Sequence, residues 1–288
     1  MLDPVERAEW SRRRAAHEAR VDRLLAGHLS RQCTGERHPV EDFLFTYYSF
    51  RPAALRRWHP GPGVLLRGDC DLAERRGYRR QDDGVALDPE YVEHRRDRVR
   101  WVRDLLAATA RRAPSYGCLG LHEWAMVYRA APQDVRHPAW PLRLGGAGTD
   151  AVVESHRLGC THHDAFRFFT DAARPRNTEQ PTREGQPRQE QPGCLHTGMD
   201  LYKWAYKLSP MTPSELVADC FELARDIRVL DMRASPYDLR ALGYTPVRIE
   251  TTAGKREYAE RQRRFAELAA PLRQRLVEAC ESLLAQSG

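Results

Sequence analysis

The chain has 288 residues, 41% of them apolar, and carries 46 Arg and Lys against 40 Asp and Glu for a formal charge of +6. That length can bury a sizeable core, which excludes a disulfide-stapled miniprotein, and no fixed-period repeat points to a fibre. No apolar run approaches the roughly 18 residues of a membrane span, and the opening MLDPVERAEWSRRR has no apolar secretory stretch. The expectation is a cytoplasmic protein with no membrane contact. Only Lys203, Lys207 and Lys255 are lysine, an arginine bias in keeping with a GC-rich genome, though a positive surface would still help a polyanion dock. Seven scattered cysteines read as reduced, buried thiols rather than disulfides.

Residues 5–29 predict a helix, with Val21, Leu24, Leu25 and Leu29 at helical spacing. The aromatic run EDFLFTYYSF (41–50) reads as a buried helix, although its composition also suits a strand. GVLL and GVALD within 63–87 predict a small sheet, with Asp83-Gly84 as a type I′ turn signal. Asp88-Pro89-Glu90 starts a helix towards Arg112, carrying Val99, Val102, Leu105 and Leu106. Thr212-Pro213-Ser214-Glu215 repeats that logic as a capping box. A last helix over about 255–285 is expected to kink at Pro271.

These elements predict a single compact helical domain over 1–288, mainly α with a small β element (α+β). N-terminal helices occupy 5–112 with a β-hairpin near 63–87, and C-terminal helices occupy 212–286. Between them, 115–210 is the candidate site region. It holds six of the eleven histidines and a polar, proline-rich excursion loop at 171–193. Such a loop cannot hold a core by itself and is expected to cover a site.

Three clusters flank that loop: His122-Glu123-Trp124 after Cys118, the run from Cys160 through His162, His163, Asp164 and Phe166, and the run from Cys194 through His196, Asp200 and Lys203. On a helix entered at His196, Asp200 falls one turn later on the same face, a proton-handling edge. His122, His162, His163 and His196, with the neighbouring aspartates, are ligand types that suit zinc or iron, although no HExxH or CxxC is present. That combination predicts a metal-dependent enzyme acting on a small molecule. Cys160 and Cys194 each precede a histidine by two residues, which raises a nucleophilic cysteine as a further possibility. Buried polar groups must pair or face a cavity, so the three clusters are expected to converge beneath 171–193 and line one pocket.

The strings HPVEDFLFTYYSFRP, LHEWAMVYR, GTDAVVESHRLGCTHHDAFRFF, EQPGCLHTGMDLYKWAYKLSP and DCFELARDIRVLDMRASPYDL lie between His38 and Leu239 and carry a resemblance that covers nearly the whole chain. They resemble an actinobacterial protein family commonly labelled 3-methyladenine DNA glycosylase. The resemblance implies an N-glycosidic hydrolase that excises alkylated bases from double-stranded DNA, a base-excision repair activity that requires no cofactor. No catalytic residue carries over by motif, so roles follow from chemistry. A carboxylate would orient water and stabilise an oxocarbenium-like state, with Asp200, Asp164 and Glu123 as candidates and His196 beside them. Trp124, Phe166, Tyr202 and Trp204 would supply π faces for a cationic base, and Arg167 and Lys203 would hold phosphates. Leu144-Gly145-Gly146-Ala147-Gly148 also resembles the hairpin of helix-hairpin-helix glycosylases, with Asp164 near the offset of their catalytic aspartate. A binding module without chemistry fits the basic charge as well.

Overall fold

The computed structural model of the chain describes residues 2–135 and 137–286. Helix α1 (Arg7–Thr34) forms because Trp10, His17, Val21, Leu25 and His28 fall on one buried face while the charged residues stay wet. It ends at Gly35, whose left-handed φ of 71° returns its N–H to Arg31 O. The aromatic run becomes helical rather than extended: α2 (Phe43–Tyr47) packs on the later helix α11 (Ser214–Arg233), and α3 (Pro52–Arg56) packs on α1 and α11.

Four short strands form one sheet in the order β1-β2-β4-β3: β1 (Asp3–Val5), β2 (Val64–Arg67), β3 (Tyr78–Gln81) and β4 (Gly84–Leu87). β1 lies parallel to β2, and the other pairings are antiparallel, with Leu66 opposite Val85. β1 carries no alternation that the sequence could reveal. The hairpin turn sits on Asp82-Asp83, one residue before the Asp83-Gly84 signal; Asp82 takes the positive φ of 50°. Gly84 is needed for a different reason, because a Cβ there would lie 2.5 Å from Leu66 O.

Asp88 caps α4 (Pro89–Glu93) by accepting from Glu90 N–H at 3.0 Å. The helix expected to continue to Arg112 breaks at His94-Arg95, where Arg95 leaves helical geometry and lays its guanidinium over Tyr91. It restarts as α5 (Arg96–Ala110), which packs on α12 (Thr252–Gln286). Helix α12 continues through Pro271. The capping box at Thr212 does not form. α11 starts at Ser214, whose Oγ accepts from His59 N–H, while Glu215 accepts from Trp58 Nε1. The glycine-rich run opens α7 (Gly145–Glu154) and follows turns rather than a helix, so no helix-hairpin-helix is built.

The centre of the molecule is α10 (Leu195–Lys207), buried from Thr197 through Tyr206 and packed between α11 and α12. One apolar cluster joins residues from Trp10 to Leu283, and 57% of the described residues are helical, the α+β class that the sequence predicts. Loop 171–193 is an ordered strap that includes α9 (Gln186–Gln189). Its Asn177 side chain clamps both the N–H and the C=O of Cys160, and Arg112 donates to the carbonyls of Pro187 and Glu190. Polar side chains thus replace the apolar ones that the strap lacks.

His59 joins the sheet to α11: its Nδ1 lies 2.9 Å from the Tyr78 hydroxyl while its N–H holds Ser214. Burial, helped by Arg57, holds its imidazole down at about 4. The folded state therefore resists a proton that the unfolded chain accepts near 6.5. Stability is full above that value and falls as the pH drops from 6.5 through 4. Between pH 7 and 5 this one group is expected to remove about 2 kcal/mol, read by urea denaturation. His59→Gln should flatten that slope; parallel pH curves for the two proteins would show that His59 does not carry it.

Candidate functional site

Helix α10 carries His196 in its first turn, then Asp200 and Lys203 one turn apart. Asp200 accepts from the Tyr48 hydroxyl of α2's flank at 3.0 Å through Oδ1. Its Oδ2 takes Lys203 Nζ at 2.7 Å and faces His162 Nε2 at 3.3 Å. Lys203 Nζ also donates to Asp164 Oδ2 at 2.7 Å, from the short helix α8 (His163–Phe166). Beside Asp200, Glu190 Oε1 lies 3.3 Å from the same His162 Nε2 and accepts from Gln186 Nε2 at 2.6 Å. The strap delivers Glu190.

The second half is built from α6 (Leu121–Ala125) and the end of α11. His122 Nε2 meets Asp231 Oδ1 at 2.8 Å, and Cys118 Sγ lies 3.5 Å from its Nδ1. Arg228 Nη1 bridges Asp231 Oδ2 at 2.9 Å and Glu123 Oε1 at 2.7 Å. His196 links the halves: its ring stands edge-on to His122 with centroids 4.4 Å apart and stacks on His162 at 5.3 Å. Asp231, Arg228, Asp200, Glu190 and His162 are each at most 2% exposed.

Charge explains the titration. Burial opposes every ion here, yet the charge and hydrogen bond of Asp231 hold His122 well above its usual range. Burial and the charge on His122 push His196 well below its usual range, so its imidazole is neutral. Lys203 and His162 overcome burial to hold the Asp200 carboxyl low, and His122 does the same for Asp231. Burial raises Glu190 against the pull of His162. Five carboxylates (Glu123, Asp164, Glu190, Asp200, Asp231) are thus met by Lys203, Arg228 and, at 3.8 Å from Asp164, Arg167, together with the His122 and His162 imidazoles. Arg273, buried without a hydrogen-bond partner for its Nε or Nη2, adds a more distant positive field at Glu190. Burying such a surplus of ionisable groups is costly, and a packed apolar cluster would serve stability as well. This concentration makes the chamber the candidate functional site.

The structure brings together His122, His162, His196, Asp200, Asp164 and Lys203, with Glu123 one contact away through Arg228. They pack directly on one another and do not line one open pocket. A cavity of about 10 Å³ touches His122 and His196, and one of about 20 Å³ touches His196, Glu123, Asp164 and Arg228. His163 lies aside, partly exposed and 3.5 Å from Asp164. The expected π-walled base pocket is not assembled. Trp124 is fully buried and donates to Ala234 O, Tyr202 is enclosed in the core, and Phe166 packs on Phe169. Trp204 packs edge-on to Trp101, and Arg167 lies half-exposed over Phe168. The cysteine nucleophile is also displaced: burial pushes the Cys160 thiol well up and that of Cys194 to about 12, leaving both protonated.

Sequence reasoning missed Tyr48, Glu190, Arg228 and Asp231. Asp231 had a signal, because it extends the buried line of Cys220, Ala224 and Ile227 along α11 with a carboxylate where an apolar residue belongs. Glu190 had none inside its polar stretch. No protein-family model, curated protein or solved structure matches this chain.

Proposed function

We propose that this chain is a metal-dependent enzyme acting on a small molecule, with His122, His196 and Asp231 holding a divalent ion of the iron, manganese or zinc type. One observation carries the reading: His196 makes no hydrogen bond from either ring nitrogen among the described residues and is set between two groups of His and carboxylate donors. A ring nitrogen left without a proton partner beside carboxylate and imidazole donors is what a metal ligand requires. The donor atoms of His122, His196 and Asp231 lie within 4.8 Å of one another. Two imidazoles and one carboxylate suit non-haem Fe(II), and zinc accepts the same set. The Cys118 thiol at His122 and the Arg228 guanidinium at Asp231 would orient those ligands from behind.

A groove of about 880 Å³ between the end of α1 and the 137–140 turn gives a substrate its approach. That volume lies in the range of small-molecule sites. Phe43 and Tyr47, stacked at 5.2 Å, line both this groove and the inner cavity that touches His196. They are the wall that a substrate would displace.

The glycosylase reading asks Asp200 or Asp164 to face a flipped base, but the adjoining cavities are smaller than a base. Protein purified without a His tag is expected to hold iron, manganese, zinc or cobalt. Less than about 0.1 equivalent per chain, with no uptake when those ions are added, would remove the metal reading. Release of 3-methyladenine from alkylated duplex DNA by the chelated protein would put the glycosylase in its place.

A further inference from the structure

We infer that His162, Glu190 and Asp200 hold a second divalent cation beside the first, making the chamber a dinuclear centre with His196 between its two halves. This rests on the metal reading above and adds a distinct ligand set to it. The three donor atoms lie within 4.8 Å of one another, on the strap, the residue before α8 and α10.

The geometry is awkward for hydrogen bonds alone. His162 Nε2 faces Glu190 Oε1 and Asp200 Oδ2 at 3.3 Å each, and a single N–H cannot point along both contacts. Those separations are natural for donors sharing an ion: two ligands about 2.0–2.2 Å from one metal, at tetrahedral to octahedral angles, lie about 2.8–3.6 Å apart. Asp200 is also braced from behind by the Tyr48 hydroxyl on its other oxygen, Oδ1, and the Gln186 amide holds Glu190 Oε1 in place beside His162. Such bracing fixes the orientation of metal-binding carboxylates.

Charge and position agree. Of the five clustered carboxylates, Glu190 is the one that touches neither Lys203 nor Arg228. Lys203 stays at the rim, neutralising Asp164 and part of Asp200, while a second ion would answer Glu190. The His196 ring contacts both halves, 4.4 Å from the His122 centroid and 5.3 Å from that of His162. Two adjacent ions can clamp one substrate between them, a use that a single site does not offer.

The test titrates the full-length, untagged, chelator-treated protein with Mn(II), following bound metal by elemental analysis and spin coupling by electron paramagnetic resonance. Two equivalents per chain with an exchange-coupled spectrum are expected. Glu190→Gln should retain one equivalent with an uncoupled spectrum and bind the second at least tenfold more weakly; Asp200→Asn serves if the first variant does not fold. Saturation of the parent at one equivalent overturns the second site and leaves the metal reading standing. Two equivalents that neither variant disturbs also overturn it, by placing the second ion elsewhere. No binding at all removes both.

Discussion

Arg228→Met is expected to destabilise the protein by about 3–5 kcal/mol, the loss measured when one partner of a buried ion pair is removed. Arg228 is 2% exposed and is shared by Glu123 and Asp231, so its loss leaves two carboxylates facing each other inside the core. Methionine keeps much of the aliphatic stem and removes the guanidinium, which lies 3.8 Å from the Phe43 ring centroid. The loss is therefore one of charge rather than of volume. Urea denaturation at pH 7 reads it directly. Adding Glu123→Gln should recover part of the stability, because one unpaired charge is removed with the cation. The metal reading adds a signature: Mn(II) should restore more stability to Arg228→Met than to the parent, since the ion neutralises Asp231 when the arginine cannot. A cost below about 1 kcal/mol would mean that the carboxylates relax to solvent and that Arg228 does not hold them.

The sequence made much of the fold visible, and the reasons are local. α1, α11 and α12 are long enough for one buried stripe to repeat over several turns, and the Asp88-Pro89 start carries its cap in its own residues. Errors fell where a local signal was outbid by tertiary contact. Ser214 binds His59 and Arg57 across the fold, so the expected box with Thr212 does not close. Gly84 looked like a turn residue but is a glycine because the neighbouring strand comes so close.

The site was half legible. His122, His162, His196 and Asp200 are polar residues in strongly apolar surroundings, and that contrast survives in the linear sequence. Trp124 and Tyr202 were read as ligand-facing because aromatics near histidines suit a pocket, yet their rings fill the core, the commoner fate of large apolar side chains. Glu190 was invisible for the opposite reason. Its neighbours are polar too, and only the strap's three-dimensional course, tied down by Asn177 and Arg112, carries it inside. Polar composition identified the strap but did not show that one of its carboxylates belongs to the centre.

His196→Phe separates a metal centre from a buried ion-pair network. The imidazole makes no hydrogen bond among the described residues and touches its surroundings through ring contacts with His122 and His162. A phenyl ring has nearly the same shape, so the change in fold stability should stay within about 1.5 kcal/mol, as for a volume-conserving swap. Metal affinity should fall by on the order of 100-fold or more, because a direct ligand is lost where even an outer partner is worth about 10–100-fold. Calorimetric titration with Mn(II) gives the affinity and urea denaturation gives the stability on the same preparation. His163→Phe is the control: that ring sits beside Asp164, outside both donor groups, and its replacement should leave affinity unchanged. The network reading predicts the reverse pattern for Asp231→Asn, a large loss of stability whether or not metal is present. If His196→Phe binds Mn(II) as the parent does, the neutral imidazole is a packing element and the ion sits elsewhere. If the fold itself fails by several kcal/mol, His196 makes a polar contact that outweighs its ring packing, and its lone pair is not the feature that defines the site.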